Sequence, residues 1–182
     1  MNDGDMNDGD SAQRTAMSVP VVVELSAQQT HPLRRAVLRF DTTTKEVVFA
    51  EDTWPGAVHL GLLVDDELVA TSSWVPRQLD GDDSSLAVQL RGMATARSLQ
   101  GSGFGGLLLE AGCERFAETG VRLVWARARD AALAFYLRHG FEAVGEGFLD
   151  AATQLPHHLV VRHLTLEQPA GEQQTGARRD GR

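Results

Sequence analysis

The sequence predicts a mixed α/β fold, in which helices cover the faces of a central β-sheet. Three observations predict it: an amphipathic helical segment comes first, β-rich runs joined by short turns follow, and the second half alternates between strands and helices. Segments in that order assemble into a mixed sheet with helices on its faces. The 182 residues, 42% of them hydrophobic, suffice to bury the core of one domain.

The first predicted element is an amphipathic helix. Pro32 stands where a first helical turn tolerates proline. Four apolar residues then repeat at the i, i+3, i+4, i+7 spacing of one helix face: Leu33, Ala36, Val37 and Phe40.

A β-meander follows this helix. Two β-rich runs, Ala57–Val64 and Glu67–Val75, are separated by Asp65-Asp66, a spacing that suits a tight hairpin. The next strand is indicated by alternating apolar residues: Leu86, Val88 and Leu90. Gly92 interrupts that alternation, and a glycine inside a strand indicates a bulge or a close approach of another backbone.

A second helix and an apolar strand come next. The helix ends at Gly120, and its inward stripe consists of Leu109, Gly112, Cys113 and Phe116. The nearly continuous apolar run Val121–Ala126 predicts a strand covered on both faces, as parallel strands are.

A third helix precedes the last two strands. Asp130 is its predicted cap, Gly140 its stop, and its apolar side chains are Leu133, Tyr136 and Leu137. The final strands are predicted over Phe141–Glu146 and His158–Leu166.

Both ends of the chain are predicted to be disordered segments that flank this domain. Residues 1–18 form an acidic leader that repeats Met-Asn-Asp-Gly-Asp in tandem, and residues 167–182 are rich in Gly, Gln and Arg. Segments with so little apolar surface do not offset the entropy cost of becoming ordered. We therefore predict a single domain over residues 19–166.

Charge and cysteine content exclude several classes of function. A net charge of −8 provides no overall positive field, so we expect neither a nucleic-acid nor a membrane partner. The single cysteine, Cys113, rules out an intramolecular disulfide and is expected to be a buried apolar filler. Without a membrane-spanning run or a secretory signal, the predicted location is cytoplasmic.

The segment Gln100-Gly101-Ser102-Gly103-Phe104-Gly105 lies directly between a strand and a helix. Its backbone amides and the helix N-terminus are expected to converge on one point, which favours an anion. The glycines allow close approach and let successive amides point the same way. The alternative is a flexible loop at a helix start.

Three other glycine motifs have features in common with this stretch. A Walker loop is absent, because Gly106 and Leu107 occupy the places of Lys and Ser or Thr. A nucleophile elbow is absent, because the glycines directly flank Ser102. Gly101, Gly103 and Gly106 do satisfy the G-x-G-x-x-G spacing, so a dinucleotide-binding protein stays a weaker alternative.

Two segments together carry a resemblance to a known family. Met93–Leu109, which reads MATARSLQGSGFGGLLL, resembles the signature of GNAT acetyltransferases, a Gln/Arg-x-x-Gly-x-Gly/Ala turn that holds the pyrophosphate of coenzyme A. Ala132–Phe141, which reads ALAFYLRHGF, is similar to the second signature of that family. The resemblance implies a mostly antiparallel mixed sheet with a splayed parallel strand pair, helices on both faces and a homodimer.

The resemblance also implies acetyl-CoA as cosubstrate and assigns residues to it. The implied coenzyme-binding residues are Met93, Ala94, Thr95, Gln100, Gly101, Ser102, Gly103, Phe104 and Gly105. The amide near Met93 or Ala94 is expected to steady the developing oxyanion. Where the family frequently carries Asn, this chain has Arg129, so the resemblance gives little support for a ligand contact there.

Tyr136, the only tyrosine, is the general acid that the resemblance implies. A phenol with a pKa of about 10 is protonated at neutral pH and can donate to the departing thiolate. The alternative is that Tyr136 and Phe135 are core aromatics at a helix end.

The residues that handle the acceptor amine are not identified by the sequence. Candidates for the base are Asp52, His59 and His157, and candidates for a pocket wall are Trp54 and Trp74. The alternative for each of these residues is an ordinary packed or polar role. His157, His158 and His163 lack the helical spacing of metal ligands, so no metal site is predicted.

These inferences predict an N-acetyltransferase that moves acetyl from acetyl-CoA to a primary amine of a small molecule or peptide. The alternative from another class is a catalytically inactive acyl-CoA-binding module that uses the same pocket.

Overall fold

The computed structural model describes residues 19–81 and 86–165. In chain order its elements are β1 (Val21–Leu25), α1 (Ala27–Leu38), β2 (Val58–Val64), β3 (Glu67–Pro76), β4 (Ala87–Thr95), α2 (Phe104–Glu118), β5 (Leu123–Arg129), α3 (Asp130–Arg138), β6 (Glu142–Leu149) and β7 (Pro156–His163). The leader predicted over residues 1–18 and the tail over 167–182 lie outside the described residues. Within the described ranges, no helix combines the length and apolar character needed to span a bilayer.

The strands form one sheet in the order β1-β2-β3-β4-β5-β7-β6. Each neighbouring pair in it is antiparallel except β4 and β5, which are parallel. The predicted mixed, mostly antiparallel sheet with one parallel strand pair is confirmed.

Helices cover both faces of this sheet. Ser73 and Trp74 are consecutive in β3 and therefore point to opposite faces. Arg34 of α1 donates a hydrogen bond to Ser73, whereas Gly112 of α2 lies against Trp74. A Cβ atom on Gly112 would lie 1.9 Å from Trp74 Cζ2, so the helix can come this close to Trp74 only because position 112 is glycine.

The core on the α2 face follows the predicted helix stripe. The four stripe residues are buried: Leu109, Gly112, Cys113 and Phe116. Phe116 stacks on the fully buried Trp74 with ring centroids 5.4 Å apart. Burial raises the pKa of the Cys113 thiol to about 12, so this cysteine behaves as an apolar side chain, as predicted.

The predicted hairpin is confirmed between β2 and β3. Asp65 and Asp66 have φ values of 51° and 61°, and Val64 pairs with Glu67 directly across the turn. Two successive positive φ values are typical of the two-residue turns whose twist matches that of the strands.

The prediction for α1 was wrong in its start and in its buried face. A capping box starts the helix at Ala27: the Ser26 hydroxyl accepts from the Gln29 N–H, and the Gln29 side chain accepts from the Ser26 N–H. Pro32 therefore lies inside the helix. The buried residues are Thr30 and Arg34, whose side chains have polar partners within the protein. The predicted stripe residues Ala36 and Phe40 are exposed.

The prediction for the start of α3 was also wrong. Asp130 is the first helical residue, and the N-cap position is Arg129, which makes no capping hydrogen bond through its side chain. The carboxylate of Asp130 instead lies 2.9 Å from Nδ1 of His158 on β7. Leu137, predicted on the inner stripe, is largely exposed.

The strand bounds differ from the predictions at several ends. β1 was not predicted, and Leu86 precedes β4 and is exposed. β5 starts at Leu123 and continues to Arg129, because it pairs along its whole length with β7. That extension brings the end of β5 to the site described next.

Candidate active site

The parallel strands β4 and β5 separate midway along their length. They pair from Ala87 with Leu123 to Leu90 with Ala126, and then both continue without pairing to each other. Beyond this point β4 stays paired to β3, and β5 stays paired to β7. The predicted splayed pair is thus confirmed, and it leaves unpaired backbone on facing edges of a gap.

A bulge at Gly92 turns β4 at the start of this gap, as the break in alternation predicted. Arg91 pairs with Ser73 and Ala94 pairs with Thr71, so two β4 residues oppose Ser72 alone. Gly92 has a φ of +61°, which favours glycine.

The glycine-rich turn leads from β4 into α2 with open amides. Gly101 and Gly103 both have a φ of +86°, and a Cβ atom on either would meet nothing within 4 Å. Helix α2 has Gly103 as its N-cap without a capping side chain, and its first internal bond joins the Leu107 N–H to the Gly103 carbonyl at 3.1 Å. The amides of residues 104–106 therefore have no acceptor within the helix.

A cavity of about 650 Å³ lies against this turn. Seven of the nine predicted coenzyme-binding residues line it: Met93, Ala94, Thr95, Gln100, Gly101, Gly103 and Gly105. Ser102 and Phe104 belong to the same turn but do not line the cavity. Gln100 fixes the turn to β4, because its Nε2 donates to the Thr95 carbonyl at 3.2 Å.

Sequence reasoning missed three basic residues of this cavity, Arg97, Arg138 and His139. Arg97 precedes the glycine-rich turn, and the other two end α3. Their place within the two signature segments was the available signal. Together with the open amides, the two arginines give this cavity the positive character that a phosphorylated ligand requires.

Tyr136 lies where the cavity reaches the gap in the sheet. Its hydroxyl is 4.0 Å from Sδ of Met93, and its ring packs edge-on against Phe135 and Phe141 at 5.3 and 5.2 Å. The side chain is buried, and burial raises its pKa above the ordinary value for tyrosine. The hydroxyl is therefore protonated at neutral pH and available as a donor.

A second cavity of about 270 Å³ meets the first at this point. The residues common to both are Leu38, Met93, Arg129, Ala132 and Tyr136. Arg129, for which the resemblance gave little support for a ligand contact, thus stands at the junction. The two cavities are therefore neighbours that share the protonated Tyr136 hydroxyl as part of their wall.

Of the three candidate bases, only His157 lines either cavity. Asp52 is buried in an ion pair with Arg34, at 2.7 and 2.9 Å, and His59 lies 2.7 Å from the Ser73 hydroxyl. His157 Nδ1 lies 2.9 Å from the Leu155 carbonyl. Because a carbonyl only accepts, Nδ1 carries hydrogen, and Nε2 of the neutral ring keeps its lone pair.

The tryptophans do not form an acceptor pocket. Trp74 belongs to the core, and Trp54 is 42% exposed and lines neither cavity. In residues 19–81 and 86–165, no cluster of three or more His, Cys, Asp or Glu side chains is arranged to hold a metal ion.

Sequence comparison places this site in a known context. A family model described as the Acetyltransferase (GNAT) family matches residues 27–141, which include both signature segments. YitI of Bacillus subtilis (strain 168), an N-acetyltransferase described as uncharacterized, is 30% identical over 127 residues. The match covers 70% of this chain and 85% of YitI.

Solved structures share the fold at lower identity. Escherichia coli ElaA has a TM-score of 0.64 and 20% identity, covering 79% of this chain and 99% of ElaA. An acyl-CoA N-acyltransferase from Pseudomonas aeruginosa has a TM-score of 0.63 and 20% identity, with coverage of 79% and 99%. These likenesses agree with the family model on the fold.

Proposed function

We propose, because this chain belongs to the GNAT family of acetyltransferases, that it transfers acetyl from acetyl-CoA to a primary amine of a small molecule or peptide. The observation that carries this proposal is the junction of two cavities beside Tyr136, at the gap between β4 and β5. One cavity suits the coenzyme and the other the amine. The catalytic unit is a single domain over residues 19–166.

The charge of the lining of the larger cavity supports coenzyme A as its ligand. The open amides at the start of α2, near Gly101 and Gly103, receive the diphosphate, and Arg97 and Arg138 add positive charge. The edge of β4 that faces β5 has no strand partner from Met93 to Thr95, and it receives the pantetheine arm. Acetyl-CoA supplies the activated acyl group, and these residues direct its thioester toward Tyr136.

The acyl transfer is a direct attack within this junction. The neutral amine forms a bond to the acetyl carbonyl carbon, and an amide N–H at Met93 or Ala94 stabilises the oxyanion. As the carbon–sulfur bond breaks, the Tyr136 hydroxyl gives its proton to the sulfur. The nitrogen loses one proton and becomes the amide, and Tyr136 is reprotonated from solvent.

Before the attack, His157 takes a proton from the ammonium form of the amine through the lone pair of Nε2, which leaves the amine neutral. The support for this assignment is its place in the smaller cavity and the fixed hydrogen on Nδ1. We expect His157→Asn to slow turnover at neutral pH, where the amine arrives as ammonium. The loss shrinks as pH rises and free amine accumulates, and a loss that is equal across pH would contradict the role.

The experiment mixes the purified chain with acetyl-CoA and a panel of amines, and measures free thiol together with the mass of each amine. We expect thiol and acetylated amine in equal amounts. Binding of acetyl-CoA without thiol release from any amine would instead indicate an inactive acyl-CoA-binding module.

A further inference from the structure

The smaller cavity is cationic, although the whole chain has a net charge of −8. Among the described residues, those with charged side chains that line it are Arg39, Arg77, Arg91, Arg127, Arg129, Glu51 and Asp150. With His157 neutral, this set has a formal charge of +3. A cavity so charged attracts anions and repels ligands that are purely cationic.

Both carboxylates of this cavity are already engaged by protein groups. Glu51 accepts from Arg77 at 3.1 Å and pairs with Arg91 at 2.5 Å. Asp150 accepts from the backbone N–H and the hydroxyl of Thr153, both at 2.9 Å. Glu51 is therefore shared by two arginines, whereas Asp150, whose Thr153 partners are uncharged, acts as a counter-charge on Arg39. Two acids thus face five arginines in the wall of this cavity.

Two of the remaining arginines converge on one oxygen. Arg39 Nη1 donates to the carbonyl of Leu38 at 3.2 Å, and Arg129 Nη2 donates to the same carbonyl. Asp41 is exposed and lies 3.5 Å from Arg129. Because both guanidinium groups donate to one carbonyl, the two cations lie at close range. Burial, and then the charge of Arg129, lower the pKa of Arg39, and the charges of Asp150 and Glu46 oppose that lowering.

We infer that the acceptor of the proposed transfer is a small amine that also carries an anionic group, a carboxylate or a phosphate, held by Arg39 and Arg129. The planar fork of arginine binds both anions through paired hydrogen bonds. This inference rests on the proposed function and specifies its acceptor.

The position of the pair explains how one molecule reaches both groups. Leu38 and Arg129 line both cavities, as Tyr136 does, so the anion is held beside the transfer junction. A short amino acid or aminoalkyl phosphate spans from that anchor to the junction within 270 Å³.

The first test uses the unaltered protein and matched pairs of amines at saturating acetyl-CoA. One arm compares alanine and glycine with their carboxamides, and the other compares 2-aminoethyl phosphate with ethanolamine. We expect kcat/KM to be at least about tenfold higher for the anionic member of one or both pairs, as charged hydrogen bonds permit. Equal rates within both pairs would overturn the inference while leaving the proposed function intact.

The second test replaces Arg39, which lines only the smaller cavity. Arg39→Gln is expected to lower kcat/KM for the anionic amine about tenfold and leave both the neutral amine and the KM for acetyl-CoA nearly unchanged. Arg39→Lys restores part of the loss, because it restores the charge. The matched control is Arg35→Gln, an exposed arginine of α1 that lines neither cavity. An equal loss for anionic and neutral amines would overturn the inference.

Discussion

Tyr136 brings a protonated hydroxyl to the place where two cavities meet, and its neighbours hold the ring from two sides. Phe135 and Phe141 pack edge-on against it, and Met93 Sδ lies 4.0 Å from the hydroxyl. Phenylalanine preserves those ring contacts and removes only the O–H group. The substitution Tyr136→Phe therefore separates catalysis from packing.

We predict that Tyr136→Phe lowers kcat about 100-fold or more, which is the range for loss of a general acid. The KM for acetyl-CoA and the urea midpoint stay close to those of the unaltered protein, because the ring still fills its site. Steady-state kinetics by thiol release, with a urea titration of both proteins, measures this. Turnover that equals that of the unaltered protein would assign Tyr136 to packing alone.

The site also depends on Gly92. A Cβ atom there would lie 2.7 Å from Arg34 Nε and 3.0 Å from Phe49 Cε2, in a backbone whose φ is +61°. Gly81 has a φ of +87° but open space around it. The two glycines therefore share the backbone strain, and only Gly92 adds a steric clash.

We predict that Gly92→Ala lowers the free energy of unfolding by about 1–3 kcal/mol more than Gly81→Ala does, which is the usual cost of overpacking. Urea unfolding of the two variants measures the difference. Equal losses would show that Arg34 and Phe49 move aside without cost.

Helix α1 is held by a buried ion pair with Asp52, which precedes β2, and by a hydrogen bond to Ser73 of β3. Arg34 donates to Asp52, to the Ser73 hydroxyl and to the Val47 carbonyl. Burial raises the pKa of Asp52, but the hydrogen bonds from Arg34 and from the Phe49 N–H outweigh it, so the pKa is lower than usual. A carboxyl with a lowered pKa stabilises the fold above its unfolded pKa of about 3.9, and that contribution is lost as pH falls through the folded value.

We predict that the free energy of unfolding falls as pH drops below about 4 and that Asp52→Asn makes this fall shallower. At pH 7 the variant is less stable by about 3 kcal/mol, because Arg34 is left buried without its anion. Urea unfolding across pH measures both effects, with the exposed Asp80→Asn as control. A pH dependence unchanged by Asp52→Asn would contradict the assignment.

Local sequence signals predicted those elements whose cause is local. The Asp65-Asp66 hairpin, the Gly92 bulge and the inner stripe of α2 follow from turn chemistry and periodicity. The start of α1 was missed, although Ser26 and Gln29 have the spacing of a capping box. Its buried face was missed because apolar periodicity does not reveal a buried arginine whose partner is 18 residues away.

The two cavities also differ in how far local sequence predicts the residues that line them. Most residues that line the larger cavity belong to the two signature segments, each of which is continuous in the sequence. The motif in the first segment therefore predicted seven of these residues. The smaller cavity gathers arginines from the end of α1, from β4 and β5, and from the segment after β3. Only the sheet order brings these segments together, and no spacing along the chain encodes it.

For the whole molecule, we predict that coenzyme A stabilises the fold, whereas NAD does not. A ligand that binds the native state at 100 times its Kd adds about 2.7 kcal/mol. Thermal unfolding with each ligand, at equal concentrations, measures the shift in Tm. Stabilisation by NAD alone would favour the dinucleotide interpretation of Gly101, Gly103 and Gly106.

The most direct measurement is a crystal structure of the chain grown with saturating acetyl-CoA. We predict diphosphate density within hydrogen-bonding distance of the backbone amides from Gly101 to Gly106, with the thioester sulfur beside the Tyr136 hydroxyl. A coenzyme that binds elsewhere, or a turn that stays empty at saturation, would contradict the assignment of this site.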